Sequence, residues 1–387
     1  MNADKVQKSM KRFTVAFPTR NFKKNECLES DFSQYNETFH YVEPQKRFEG
    51  TSEGIFKMST IKDVAKYTGL SLGTISKYLN GGNVREENRV LIDDAVRSLG
   101  FRVNRNARSL KTNKTMTVGV VIPTISIPFF GSVIQHFDAV MREAGYSTFI
   151  CSYDFNRELE LEKLRFLANN NVDGIVLAPE SIAADELDAM RSLRGDMPFV
   201  LIDRIVPGFK CDSVVVDNRD AVKNAVEHLI SLGHTRIGLL AGPDDMSTGD
   251  ERTKGYIEAL KNNGITVDSD YINVGKYDYE SGHRGFMELM NLKKPPTAIL
   301  ANNYDTTLGS ISASYEKGLT LGYDIGFVGF DATEVARAAT PRLTVVEQPT
   351  ELMGKTAARM LLKRLGGDMK SFPEIIRLKT RLVTGHD

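Results

Sequence analysis

The hydrophobic pattern of residues 60–80 predicts two short helices joined by a tight turn. Ile61 and Val64 give the first helix an apolar face, and Ile75 and Leu79 do the same for the second at i and i+4. Both helices are too short to be stable alone in water. We therefore expect the two apolar faces to pack together in a small all-α unit.

The ends of these helices carry recognisable signals. Thr60 with Asp63 three residues later predicts a capping box, and Ser71 predicts the cap of the second helix. Gly69 permits the turn between them. The side of the second helix that faces away from the apolar residues carries Leu72, Gly73, Ser76 and Lys77. Small and basic residues near the start of a second helix are typical of a helix-turn-helix that binds DNA.

After residue 114 the pattern changes to short apolar runs that alternate with helical stretches, which predicts parallel sheets with helices on both faces. In open sheets of this kind, ligands bind beyond the carboxyl ends of the strands. Asp203, Arg204, Asn302, Asn303 and Asp331 follow such runs. These residues suit a polar ligand, but polar residues there also cap helices, and the pattern leaves both roles open. The predicted strands are 117–123, 147–152, 174–179, 199–203, 213–217, 237–242, 298–303 and 325–331.

Composition changes this picture mainly through the distribution of charge. The whole chain of 387 residues has no net charge, but residues 59–114 hold 11 Lys and Arg against 5 Asp and Glu. Residues 115–387 hold 29 against 37, so a basic segment precedes an acidic one. This split suits a head that neutralises DNA phosphates and a body that does not.

Other classes of protein fit the composition less well. The three widely spaced cysteines predict neither a disulfide framework nor a metal site, and we expect no cofactor. No apolar run approaches the roughly 18–20 residues that span a bilayer, and the N-terminus lacks the apolar core of a secretory signal. We therefore expect a cytoplasmic protein. A secreted sugar-binding protein would need such a signal and no helix-turn-helix.

A set of short motifs is similar to the LacI/GalR (lactose-repressor) family of transcription regulators, and the similarity covers roughly residues 59–385. The resemblance implies an N-terminal all-α helix-turn-helix head and an α/β core of two lobes, like periplasmic binding proteins, with parallel sheets flanked by helices. The motifs are Asp63-Val64-Ala65, Ser71, Thr74-Ile75-Ser76, Asn80, Leu99-Gly100-Phe101 and Ala107-Arg108-Ser109-Leu110.

For DNA, the resemblance implies that Leu72, Gly73 and Lys77 choose bases, while other residues of the head contact phosphates. It also implies a hinge helix over 104–111 that orders on operator DNA and inserts Leu110 into the minor groove. A basic linker with an incidental leucine is the alternative for this segment. The DNA-binding residues predicted are Thr60, Leu72, Gly73, Thr74, Ser76, Lys77, Asn80, Asn104, Arg105, Ala107, Arg108 and Leu110.

For the core, the resemblance implies a pocket for a small-molecule effector, most often a sugar, and a homodimer that binds a palindromic operator. The asparagine of the pocket is Asn302 or Asn303, because the loop after that strand is one residue longer than usual. The effector-binding residues predicted are Phe129, Asp203, Arg252, Tyr277, Asn302, Asn303, Asp331 and Gln348.

The predicted domains are an extension over 1–58, a head over 59–103, a hinge helix and linker over 104–114, and a core over 115–387. Within the core, one lobe takes about 115–216 plus 350–376 and the other about 217–347. The extension has no apolar periodicity, and Met58 is the start that we favour. Three alternatives remain for function: a regulator controlled by a protein partner, a sugar-binding protein without DNA binding, and an enzyme, for which no nucleophile–base pair stands out.

Overall fold

A computed structural model describes residues 59–79, 81–101, 114–193, 195 and 197–385. Asn80, the residues 102–113 and the N-terminal extension lie outside the described residues, and with them lie the predictions for Asn104, Arg105, Ala107, Arg108 and Leu110. Two units are described. They are a small head of three helices and a large core built on two sheets.

The head consists of α1 (Ile61–Thr68), α2 (Leu72–Leu79) and α3 (Glu86–Ser98). Val64, Ile75, Ile92 and Ala95 are fully buried and form its core, as the apolar pattern of the first two helices predicts. Burying such a side chain contributes about 1.5–3 kcal/mol for the larger residues, which compensates for helices that are too short to be stable alone.

The structure contains caps at the ends of α1 and α2 that the sequence predicted, and the Asp63 side chain makes the hydrogen bonds of the first one. The Asp63 carboxylate accepts hydrogen bonds from the backbone N–H (2.7 Å) and the hydroxyl (2.8 Å) of Thr60, so the carboxylate half of the box is present. Gly69 ends α1 with a φ of 69°, a left-handed conformation that favours glycine. The Ser71 hydroxyl accepts the N–H of Thr74 at 3.2 Å and so caps α2.

The core contains two six-stranded sheets with helices on both faces. Every neighbouring pair is parallel except β10 and β12, which are antiparallel. The first sheet has the order β11-β5-β4-β3-β1-β2 and the second the order β12-β10-β9-β8-β6-β7. The strands are β1 (Thr117–Ile122), β2 (Ser147–Ser152), β3 (Gly174–Leu177), β4 (Phe199–Ile202), β5 (Asp212–Val216), β6 (Ile237–Ala241), β7 (Ile272–Val274), β8 (Ala298–Ala301), β9 (Gly326–Phe330), β10 (Thr344–Glu347), β11 (Ile375–Leu378) and β12 (Arg381–Val383).

Helices connect these strands and cover the sheets. Two of them, Pro128–Glu143 and Thr350–Leu365, pack so closely that a side chain at Gly354 would lie 2.3 Å from the carbonyl oxygen of Val133. Apart from the short 3-10 turn Ser269–Tyr271, the helices of the core are α4 (Pro128–Glu143), α5 (Arg157–Asn169), α6 (Ala184–Ser192), α7 (Asn218–Ser231), α8 (Ser247–Asn262), α9 (Tyr279–Met290), α10 (Tyr304–Glu316), α11 (Thr333–Ala338) and α12 (Thr350–Leu365).

The path of the chain divides the core into two lobes. The chain builds the first lobe through β5 and the second through β10, and then returns to the first lobe with α12 and β11. It finally adds β12 to the second sheet, a crossing that the sequence did not predict. Because the strands of each sheet are parallel, their carboxyl ends lie at one edge, and that edge carries the polar residues singled out above.

The eight predicted strands are all present, and four were missed. β7, β11 and β12 are short edge strands whose side chains, apart from that of Val383, are exposed or half-buried, so they lack the apolar run on which the prediction rested. β10 is only four residues long. None of the helices described could cross a membrane, because none is both long and apolar enough. In the described part of the chain, no cluster of His, Cys, Asp and Glu could hold a metal ion.

Candidate ligand cleft and nucleic-acid interface

A cleft between the lobes gathers the predicted effector residues. All of them but Asn302 line it, and the residues from the two lobes face each other across it. The cavity volume is about 50 Å³, room for a few water molecules at most. The cleft is therefore closed in this structure. Its lining is Ile127, Phe129, Phe130, Phe155, Asp203, Arg204, Thr248, Arg252, Tyr277, Asn303, Tyr304, Asp331 and Gln348.

Four of the lining residues have a left-handed backbone, and Phe155, with a φ of 53°, is one of them. Asp203 directly follows β4 and has a φ of 67°, and Asp331 directly follows β9 and has a φ of 64°. Tyr277, three residues after β7, has a φ of 64°. Aspartate tolerates this region, but a bulky residue such as tyrosine costs of order 1–3 kcal/mol there. Such strain is found where the surrounding structure holds a functional side chain in place.

A carboxylate–amide pair forms the wall of the cleft contributed by the second lobe. The Gln348 amide nitrogen donates to both carboxylate oxygens of Asp331, at 3.0 and 2.9 Å. Desolvation raises the pKa of Asp331 to about 7, although Arg252 and the bond from Gln348 both act to lower it. The nearby Asp203 carboxylate raises it further. The Asp331 carboxyl can therefore exist in either protonation state near neutral pH.

Two hydrogen bonds and one ring contact hold the guanidinium of Arg252 in place. Its Nε donates to the Asn218 side-chain oxygen at 2.8 Å, and its Nη1 donates to the backbone carbonyl of Asn302. The guanidinium carbon lies 3.7 Å from the centroid of the Phe330 ring, in cation–π contact. Arg252 is 3% exposed, so it serves as a fixed donor and not as a mobile cation.

The two asparagines after β8 differ in what their amides do. Asn303 lines the cleft, but its Oδ1 accepts the Thr306 N–H (2.9 Å) and its Nδ2 donates to the Tyr277 carbonyl (2.7 Å). It therefore acts as the cap of α10. Asn302 is fully buried outside the cleft lining, and neither atom of its amide has a hydrogen-bond partner. The role of each in effector binding remains a prediction.

Several buried polar atoms near the cleft have no hydrogen-bond partner in the described structure. They are the hydroxyls of Thr248 and Tyr277, Nε of Arg204, the Gln348 side-chain oxygen and both amide atoms of Asn302. Buried polar groups are nearly always hydrogen-bonded, and each exception calls for an explanation. Their clustering beside one cleft indicates a ligand that both donates and accepts hydrogen bonds.

The predicted reading face of the head is exposed. Leu72, Gly73 and Lys77 lie on the solvent side of α2, opposite the buried Ile75, and Leu72 is 45% exposed. Thr60 is also exposed, while Thr74 and Ser76 are half-buried. An exposed leucine next to a glycine and a lysine is consistent with a surface that meets another molecule. No contact with DNA is described, so these roles stay predictions.

Comparison with known proteins agrees with both units. A family model described as bacterial regulatory proteins, lacI family, matches residues 60–104. A second, described as periplasmic binding proteins and sugar binding domain of LacI family, matches residues 115–378. The chain belongs to the LacI family. This confirms the resemblance and the fold class predicted from the sequence, and it makes the protein a DNA-binding transcriptional regulator.

Individual LacI-family relatives match over most of their length. The transcriptional repressor CytR of Escherichia coli K12 is 30% identical over 80% of this chain and 90% of its own. The regulator GalR of the same strain is 32% identical over 82% and 92%. A lac repressor dimer bound to operator and an anti-inducer superposes with a TM-score of 0.75 at 26% identity, over 85% of this chain and 98% of that one. Dimerisation and effector control are typical of the family.

Sequence reasoning about this LacI-family core missed several lining residues. Arg204 was predicted among the polar strand ends but not among the effector-binding residues. It lines the cleft, forms an ion pair with Glu180 and lies 3.3 Å from the Asp203 carboxylate. Phe155 lies in a loop and Thr248 in the first turn of α8, and neither position follows a strand directly. The apolar pattern of the sequence does not indicate that these two residues line the cleft.

Proposed function

We propose that this regulator is a repressor that binds a palindromic operator as a homodimer and is controlled by a small, uncharged, polyhydroxylated effector. The observation that carries the proposal is a single chain with an exposed helix-turn-helix face and an interlobe cleft lined by carboxylates, amides and aromatic rings. A protein that acts on bacterial operators works in the cytoplasm. We propose that it acts by binding alone, without catalysis, which accords with relatives that are named as a transcriptional repressor and a transcriptional regulator.

The charges of the cleft support an uncharged effector. Arg204 is paired with Glu180 and Asp203, and Arg252 is held by Asn218 and Asn302. No other cation lines the described cleft, so a phosphate group would have to compete with these partners for a guanidinium. Hydroxyl groups, in contrast, can donate to carboxylates and to the unpaired Gln348 oxygen.

Aromatic rings support a sugar in particular. Phe129, Phe155, Tyr277 and Tyr304 line the same cleft, and the C–H faces of a sugar ring pack well on aromatic faces. Two solved relatives carry such ligands in their titles, one a regulator with cellobiose and one from Enterococcus faecium with ribose. We propose that Phe129, Asp203, Arg252, Tyr277, Asn302 or Asn303, Asp331 and Gln348 bind the effector.

A volume of about 50 Å³ is too small for a sugar ring, so the lobes must separate or shift to admit one. If the two arrangements of the lobes favour different spacings of the paired hinges, effector and operator affinities are coupled reciprocally. On the DNA side we propose that Leu72, Gly73 and Lys77 select bases and that Leu110 bends the operator at its centre.

The effector claim can be tested by calorimetry on the full chain. D-ribose, D-glucose, D-galactose and cellobiose are titrated first, and the phosphate ester of any sugar that binds is then tested as a competitor. We expect one sugar to bind, Asp203→Asn to weaken it at least about tenfold, and the phosphate ester not to displace it. Displacement by the phosphate ester, or full affinity in Asp203→Asn, would contradict this description of the cleft.

A further inference from the structure

A second cavity lies on the second lobe, between α11 and the edge formed by β10 and β12. Its volume is about 290 Å³, several times that of the closed cleft. Leu343, Val345 and Val383 form an apolar floor, and each is less than 10% exposed. Three arginines on three separate segments stand around it: Arg337, Arg342 and Arg381.

Two of these arginines already hold an anion. Arg381 donates twice to one oxygen of the Glu347 carboxylate, at 3.1 Å from Nε and 2.7 Å from Nη2. Arg337 Nη2 lies 3.9 Å from the other oxygen of the same carboxylate. Two guanidinium groups on either side of one carboxylate have the arrangement that binds an oxyanion. The Glu347 carboxylate of the protein itself thus lies where an external oxyanion would bind.

The third arginine leaves the cavity with an excess of positive charge. Arg342 is exposed and makes no side-chain hydrogen bond or ion pair within the described residues. Among the described residues, Glu347 is the one carboxylate paired with the other two. Three guanidiniums against one carboxylate leave two positive charges around an apolar floor.

We propose that this cavity binds a small phosphate monoester whose body is apolar on one face. The phosphate would take Arg342 and the N–H groups of Arg337 and Arg381 that face away from Glu347. A phosphate ester carries about two negative charges at neutral pH, which matches the excess. The apolar floor would hold the body of the ligand, and 290 Å³ accommodates one ring and its phosphate.

The position of the cavity links it to the cleft. Glu347 precedes Gln348, which donates to Asp331, and α11 begins two residues after Asp331 and ends beside Arg337. A ligand that draws the arginines away from Glu347 would therefore shift the two segments that carry Gln348 and Asp331 in the cleft. This consequence for effector binding rests on the proposed function, whereas phosphate binding at the cavity does not.

Phenyl phosphate is the probe for this site, titrated by calorimetry into the full chain in a phosphate-free buffer. We expect binding, a loss of about tenfold in affinity in Arg342→Gln, and a gain in Glu347→Gln, which frees both partner arginines. Arg284→Gln, on the exposed side of α9, is the matched control and should bind as the parent does. Thermal melts of all variants check that they are folded.

Other results would overturn the proposal. Absence of binding at millimolar phenyl phosphate, both in the full chain and in a chain that ends at Gly385, would exclude the site. The shortened chain removes the acidic last residue as a possible competitor. Equal binding of benzoate would exclude a phosphate-selective site, and equal binding of inorganic phosphate would indicate an adventitious ion only. Weaker binding in Glu347→Gln would exclude the assigned role of Glu347.

Discussion

The protonation of Asp331 gives a prediction that can be worked out from the structure. Its pKa lies at about 7, against an ordinary value of 3.8, because it is desolvated in the cleft. Between these two values the folded chain holds a proton that the unfolded chain has released. Stability therefore falls as pH rises through this window, and the contribution is fully lost above pH 7.

The magnitude follows from the shift. One pKa unit corresponds to about 1.4 kcal/mol, so a shift of this size in a fully enclosed carboxyl would be worth about 4 kcal/mol. Asp331 is partly exposed to the cleft, and solvent screening reduces the figure to about 2 kcal/mol. Asn is a neutral isostere of the protonated acid. We therefore expect Asp331→Asn to gain stability relative to the parent as pH rises from 4 to 8.

Urea denaturation of both proteins at intervals across this range measures the effect. The free energy of unfolding of Asp331→Asn minus that of the parent should rise by about 2 kcal/mol from pH 4 to pH 8. Asp138→Asn, which removes a carboxylate on α4 outside the cleft, serves as a control for the loss of one charge. A difference that stays constant with pH would refute the reasoning, and a difference that falls would reverse its sign.

Three further predictions concern the hinge, the cleft and the core. Leu110→Ala should weaken operator binding at least about tenfold and leave effector binding intact, as titrations of each ligand would measure. Gly242→Ala should lower stability by about 1–3 kcal/mol and weaken effector binding, because its Cβ would lie 2.0–2.4 Å from ring atoms of Tyr277. Asp212→Ala should cost about 3–5 kcal/mol of unfolding free energy, since it removes the buried partner of Arg364, which is itself buried at 2% exposure and keeps only the more distant Glu374 at 3.8 Å.

Each of these has a result that would count against it. Equal operator affinity in Leu110→Ala and the parent would remove the hinge assignment. Gly131→Ala is the control for the Gly242→Ala change, because no atom lies within 4 Å of its added Cβ. An equal loss of stability in both variants would show that contact with Tyr277 is not the cause. An unfolding free energy within 1 kcal/mol of the parent for Asp212→Ala would show that the buried ion pair is not needed.

The sequence predicted most of the fold because buried parallel strands are continuous apolar runs. β1, β3 and β9 are almost wholly buried, and their runs stand out between polar segments. The side chains of β2 are largely exposed, yet its residues that favour strands still predicted it. β11 alternates between exposed and half-buried positions after a turn-rich segment, and β12 buries only Val383, so no local signal separates these two strands from a loop.

The residues of the cleft likewise divide into those that the sequence predicted and those that it did not. Asp203 and Asp331 could be predicted because a parallel sheet places the residue after each strand at the ligand edge. Phe155 and Thr248 could not, because their positions depend on how a loop and a helix pack across the lobes. The choice between Asn302 and Asn303 also depends on the turn into α10, where one amide caps the helix and the other is buried unpaired.

The central claim is that this LacI-family regulator binds a specific palindromic operator. Selection of randomised DNA duplexes by the purified full-length chain, without added ligand, tests it most directly. We predict enrichment of a palindrome with a deformable central step, as expected for a dimer whose hinges meet at the centre. Recovery of sequences with no common motif, or of a single half-site without symmetry, would contradict it.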